Sequence, residues 1–213
     1  MPDGVMSAAD ALERLREGNR RFAAGLRSME VLATHTRRAD LLSGQRPFAI
    51  VLGCSDSRVP AEIVFDQGLG DLFVIRVAGN IVAPSQVGSV EFAATRFETR
   101  LVVVLGHSQC GAIAATLEEL SQPGGTRSRN LRSIVSRIRP SVETLLATDL
   151  KYDPAALACE AVKANVRASV DHLRHGSEVL EDLVARSGVR IVGAEYSLET
   201  GIVEFHDDET AAL

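Results

Sequence analysis

The chain has 213 residues, 46% of them hydrophobic, with 23 Lys and Arg against 28 Asp and Glu for a net charge of −5. That is apolar material for one sizeable core, which argues against disorder, and the acidic balance argues against a nucleic acid or an anionic membrane surface as the main partner. No apolar run approaches the ~18 residues that cross a bilayer, and the opening "MPDGVMSAADALERL" lacks the pattern of a signal peptide, so no membrane and a cytoplasmic location are expected.

Residues 7–24 read as an amphipathic helix: Ser7 and Asp10 form a capping pair, and Leu12, Leu15 and Phe22 make its apolar stripe. A loop with small helical pieces follows to Gln45. "FAIVLG" (48–53) is continuously apolar and β-branched, as a parallel strand buried on both faces should be. A short helix is expected over 60–66, ended by the turn "QGLGD", then a strand "LFVIRV" over 72–77. "PSQVGSVEFAATRF" (84–97) carries proline near its start and reads as a crossover helix. "LVVVLG" (101–106) is the third strand and "CGAIAATLEEL" (110–120) the helix after it.

"SQPGGTRS" breaks the pattern as an exposed loop. Two or three helices fill 128–187, the longest opened by Asp153 and Pro154, and the arginines of "TRSRNLRSIVSRIR" read as a solvated helix face. "VRIVGAEYSL" (189–198) is a fourth strand, and "ETG" turns the chain into an antiparallel edge strand "IVEFHD". The expected fold is α/β: a mostly parallel central sheet of four strands plus an antiparallel edge strand, helices on both faces and an extended N-terminal helix.

Ligands of such sheets gather beyond the carboxyl ends of the strands. Cys54 lies just past the first strand, and His107 and Cys110 just past the third. If those strands are parallel neighbours, the three side chains emerge at one edge. Two cysteines and a histidine match zinc best, and three ligands with an open fourth position mark a catalytic rather than a structural site. Cys159, inside "AALACEAVKANV", is expected to be a small buried core residue. His35, His172, His175 and His206 are expected in loops, on a helix surface or on the edge strand. Two thiolates neutralise the ion's charge, so water bound there should stay protonated to higher pH unless neighbours help. Asp56 and Arg58 supply those neighbours, since alternate residues from Cys54 share one side of an extended segment. Asp56 can pair with Arg58 and orient the nucleophile, or swing onto the zinc as a fourth ligand. Cys110 at a helix N-terminus could equally be a reactive thiol.

"CSDSR" at 54–58 followed by "HSQCGA" at 107–112 resembles the β-class carbonic anhydrases, and the likeness runs through "AEIVFDQGLGDLFVIRVAGNIV" between them, covering about residues 45 to 115. The resemblance implies one zinc ion per chain on Cys54, His107 and Cys110, with Asp56 and Arg58 as the dyad beside it. It implies reversible hydration of carbon dioxide to bicarbonate and a proton, by attack of zinc-bound hydroxide. Gln45 falls where some members place an amide that hydrogen-bonds substrate, Phe73 on an apolar pocket position, and Ala78, Gly79 and Asn80 on the backbone lining the pocket. Pocket residues of this family come from both subunits, which implies a homodimer or homotetramer. It also implies a single domain over 1–213 whose N-terminal helical arm, 1–44, sits at a dimer interface. In a subset of the family bicarbonate is held near the site by a tryptophan, an arginine and a tyrosine. Arg76 falls at the arginine's place, but the chain has no tryptophan and Val51 stands near where it would be.

Three other readings compete. One is a carbon disulfide or carbonyl sulfide hydrolase on the same scaffold, and another is a zinc-stabilised binding protein without turnover. The third, a thiol-redox enzyme using Cys54 and Cys110, lacks the close dithiol pair such chemistry prefers.

Overall fold

The computed structural model describes residues 4–26, 35–121 and 128–206. The side chain of His35, residues 27–34 of the loop before Gln45 and most of the "SQPGGTRS" segment lie outside the described residues.

The first helix, α1 (Ala8–Ala23), starts where Ser7 caps it: the Ser7 hydroxyl accepts from the Asp10 N–H and donates to the Asp10 carboxylate. The first bond is the N-cap contact expected of that pair, while the Asp10 carboxylate answers the Ser7 hydroxyl rather than its backbone N–H. α2 (His35–Asp40) leads to β1 (Ala49–Gly53), α3 (Ala61–Val64) and β2 (Leu72–Arg76). Pro84 opens α4 (Pro84–Arg96), a position where its missing N–H costs nothing. β3 (Leu101–His107) and α5 (Gly111–Ser121) follow. The stretch from 128 to 187 holds three α-helices: α6 (Arg129–Val142), α7 (Pro154–His175) and α8 (Glu178–Ser187). On α6, Val135, Ile138 and Val142 turn inward and the arginines face solvent, as expected. α7 is the longest, and the Asp153 carboxylate caps it by accepting from the N–H groups of Ala155 and Ala156.

The sheet has the order β2-β1-β3-β4-β5, where β4 is Arg190–Tyr196 and β5 is Val203–His206. The first four strands are parallel and β5 is antiparallel on β4, which is the expected sheet. Side chains alternate across it. Val51, Val103, Leu105 and Val192 join one core with Ala8, Ala11, Leu12 and Leu15 of α1, so one face of α1 packs on its own protomer's sheet. Ile50, Leu52, Val102, Val104 and Ile191 join a second core with α4, α7 and α8.

Two close approaches hold helices to the sheet. Asn19 on α1 donates to the carbonyls of Val64 and Gly201 and accepts from the Val203 N–H at 2.8 Å, tying the helix to the β4–β5 hairpin. α7 settles directly on the sheet at two glycines: a Cβ on Gly106 would lie 2.5 Å from Val166 Cγ2, and one on Gly193 2.8 Å from Val166 Cγ1. Among the described residues, no helix is long and apolar enough to cross a membrane.

Candidate metal centre

β1 and β3 are adjacent and parallel, with Gly53 opposite Leu105, so their carboxyl ends lie side by side. Cys54 is the first residue after β1, and Cys110 immediately precedes α5. His107 differs slightly from expectation. It is the last residue of β3 rather than the first beyond it, because β4 runs on far enough to pair Tyr196 with it.

The three ligand atoms all lie within 4.8 Å of one another, and the two sulfurs are 4.0 Å apart. Two Zn–S bonds of ~2.3 Å at a tetrahedral angle would place sulfurs about 3.8 Å apart, so the spacing fits a shared ion. All three side chains are buried, at 5%, 0% and 3% exposure for Cys54, His107 and Cys110. His107 Nδ1 lies 2.9 Å from the Ser108 carbonyl, so the Nδ1–H donates there and the Nε2 lone pair is left facing inward. That Nε2 is buried with no hydrogen-bond partner. A buried imidazole nitrogen without a hydrogen-bond partner, close to two sulfurs, is costly and is what a metal would satisfy.

Hydrogen bonding between the sulfurs lowers the Cys54 thiol and raises Cys110, so without an ion the pair shares one proton. Burial alone would lower His107, but the neighbouring Cys54 charge outweighs it and the imidazole is raised. The Gly79 N–H also donates to Cys54 Sγ at 3.3 Å.

Asp56 and Arg58 form a forked pair. Arg58 Nε and Nη2 reach the two carboxylate oxygens at 2.9 and 2.8 Å, and the Arg58 backbone N–H reaches Oδ1 at 3.0 Å. These hydrogen bonds hold the Asp56 carboxyl well below the usual carboxylate range. Arg58 is steadied in turn by the Gln109 carbonyl. Asp56 is not part of the three-ligand group and is turned to Arg58. Arg76 donates to the carbonyls of Cys54 and Asp56, so it braces this turn.

The substrate-side residues divide. Ala78 and Gly79 lie at the centre, in a single 3-10 turn (Ala78–Asn80) next to Cys54. Gln45 is exposed and precedes β1, at the opposite end of that strand from Cys54. Phe73 sits near the start of β2, ringed by Phe92 and Phe97. One protomer therefore does not bring Gln45 or Phe73 to its own metal ligands.

Cys159 corrects an expectation: it is exposed, because α7 turns Leu157, Ala161 and Val162 inward and places 159 on the other side. His172 and His175 lie on the helix surface as expected, and His206 is half-buried on the edge strand. Two residues at the site were not singled out from the sequence. Asn165 donates to the Gly79 carbonyl at 2.8 Å and Ser169 to the Asn80 carbonyl at 3.2 Å. Their signal was polar residues four apart on an otherwise apolar helix face.

Comparison with known proteins adds to this geometry. The sequence model of a family described as carbonic anhydrase matches residues 49–203. Carbonic anhydrase 2 of Mycobacterium tuberculosis is 40% identical over 200 residues, spanning 92% of this chain and 92% of that protein. The carbonic anhydrase of Mycolicibacterium smegmatis is 41% identical over 194 residues, 91% of each. Among solved structures, one of two tetrameric β-carbonic anhydrases from the filamentous ascomycete Sordaria macrospora matches with a TM-score of 0.71 at 25% identity, over 79% of this chain and 84% of that one.

Proposed function

The chain belongs to the β-class carbonic anhydrase family, and from that premise we propose that it interconverts carbon dioxide and bicarbonate using one zinc ion per chain, held by Cys54, His107 and Cys110. The observation that carries the metal assignment is the buried, partnerless Nε2 of His107 beside two sulfurs 4.0 Å apart. Zinc bound there supplies a Lewis acid that makes water a usable nucleophile near neutral pH.

The chain's own residues do the rest. Asp56, kept ionised and oriented by Arg58, accepts a hydrogen bond from the attacking water and aims its lone pair at the carbon. By engaging both carboxylate oxygens, Arg58 also keeps Asp56 from becoming a further metal ligand. Carbon dioxide offers little to bind, so the pocket's work is holding geometry. Ala78 and Gly79 line it from the same protomer. Gln45 and Phe73, remote from their own centre, reach the centre of a second copy, the Gln45 amide polarising the substrate and Phe73 giving it an apolar wall. This requires at least a homodimer, and the tetrameric Sordaria relatives support a homodimer or homotetramer. The chain is proposed to be one domain, with the 1–44 segment at the subunit contact, working in the cytoplasm.

The test joins metal analysis, X-ray absorption and stopped-flow hydration of carbon dioxide, with carbon disulfide offered in parallel. One zinc per chain with two sulfur and one nitrogen neighbours, and turnover of carbon dioxide over the disulfide, is the expected result. A protein replete in zinc but inert toward carbon dioxide would overturn the activity. A different ligand count would overturn the metal assignment.

A further inference from the structure

We infer that Asn165 and Ser169 of α7 are positioning residues for the metal centre, fixing the Ala78–Asn80 turn so that the Gly79 N–H stays aimed at Cys54 Sγ. The inference rests on the metal assignment above and concerns how the protein tunes one of its sulfurs.

The turn does not hold its shape by local preference. Gly79 sits at φ +71° and Asn80 at φ +43°, two successive residues in the left-handed region. A non-glycine residue there costs on the order of 1 kcal/mol and persists only where its surroundings fix it. One backbone bond, Asn80 N–H to the Val77 carbonyl at 3.0 Å, closes the turn. α7 supplies the remaining restraint. Asn165 and Ser169 are 3% and 5% exposed and four residues apart, so they project from one helix face. Each donates to one of two consecutive carbonyls, Gly79 at 2.8 Å and Asn80 at 3.2 Å.

These two bonds set the tilt of the peptides that follow Gly79, and with it the direction of the Gly79 N–H. That N–H, 3.3 Å from Cys54 Sγ, withdraws electron density from the thiolate. The position of α7 is itself fixed at the sheet. Val166, next to Asn165, packs over Gly106 and Gly193, and Gly106 immediately precedes His107. One helix thus seats against the strand that carries the imidazole ligand and grips the turn that hydrogen-bonds the sulfur ligand. Space on the other side of the turn is equally tight: a Cβ on Gly79 would fall 2.8 Å from Ile138 Cδ1 and 3.0 Å from Ala112 Cβ.

The experiment compares wild type, Asn165→Leu, Ser169→Ala and the packing control Val170→Ala in the full chain. Zinc affinity is measured by chelator competition and the sulfur-to-metal charge-transfer band on the cobalt-substituted protein. Asn165→Leu should weaken zinc about tenfold, the low end for groups that act through a ligand. It should also move the cobalt band to lower energy, because a thiolate that loses an N–H donor gives up electrons more easily. Ser169→Ala should do the same to a smaller extent. Val170→Ala should lower the melting temperature and leave both metal readouts in place. Wild-type affinity and spectrum in Asn165→Leu, or an equal change in Val170→Ala, would overturn the inference. If Asn165→Leu does not fold, Ser169→Ala decides, and an unmoved band there overturns it. A wild-type chain that binds no zinc would instead remove the metal assignment itself.

Discussion

Arg58 grips Asp56 by both carboxylate oxygens, Nε to Oδ1 at 2.9 Å and Nη2 to Oδ2 at 2.8 Å, with the guanidinium side chain 50% exposed and the carboxylate 18%. A pair this open to water contributes under about 1 kcal/mol to stability. Its value is therefore orientation. Asp56→Asn should cut turnover by roughly a hundredfold, and Arg58→Ala by a comparable factor, with zinc retained and the melting temperature nearly unchanged. Stopped-flow rates with metal content on the same samples check this. Loss of metal in either variant would make the pair structural.

Zinc uptake should release protons. Cys110 is raised and holds its proton while Cys54 is lowered, and His107 is raised as well. Loading the ion must displace the Cys110 proton and the fraction on His107, about one to two protons near pH 7. Affinity should accordingly rise with pH. Calorimetric titration of metal-free protein in buffers of different ionisation enthalpy reads the number directly, and a pH-independent affinity would contradict the shared-proton arrangement.

Glu195 on β4 carries a cost that pH can reveal. Burial pushes its carboxyl up, and neighbouring Glu204 and Glu160 reinforce this against Lys163 and His206. Because the folded value lies above the unfolded one, the native state binds more protons in that window. The group's favourable contribution is full below the unfolded value and is lost as pH rises through the folded one. Glu195→Gln should raise the melting temperature at pH 7.5 by roughly 1–3 °C, and the gain should shrink as pH falls below the carboxylate range. A gain that is the same at pH 4 and pH 7.5 would contradict the burial argument.

Gln45 lies at the far end of β1 from Cys54, so its action is expected in trans. Gln45→Ala and Cys54→Ser subunits should each form impaired homo-oligomers. Co-assembled, a Gln45→Ala subunit keeps its ligands and receives an intact amide from its Cys54→Ser neighbour. Activity in the mixture should exceed the sum of the separate preparations. Simple additivity would place Gln45 outside the site.

β1 and β3 were legible because each is an unbroken apolar run leading to a glycine, Gly53 and Gly106, and the metal ligands because they follow those glycines. Residues whose role depends on how elements cross were not. Nothing local marks Asn165 as the partner of Gly79, which is distant in sequence; their meeting depends on α7 lying over Gly106 and Gly193. Cys159 was misplaced for a related reason. A small sulfur residue among alanines fits a core, but the helical phase set by Leu157, Ala161 and Val162 turns it outward. Gln45 and Phe73 are legible only through family resemblance, since their proposed work is done in another copy.

Asn19 has a consequence for the order of assembly. Its amide closes onto Gly201 and Val203, more than 180 positions further along the chain. Leu12 and Leu15 share a core with Val51 and Val103 and can settle there once β1 and β3 have formed, but the bonds that clasp the helix to the β4–β5 hairpin close only when that hairpin has been made. A chain interrupted before β5 would therefore keep the seat of α1 on the sheet but lose its clasp, with Asn19 left holding the Val64 carbonyl alone.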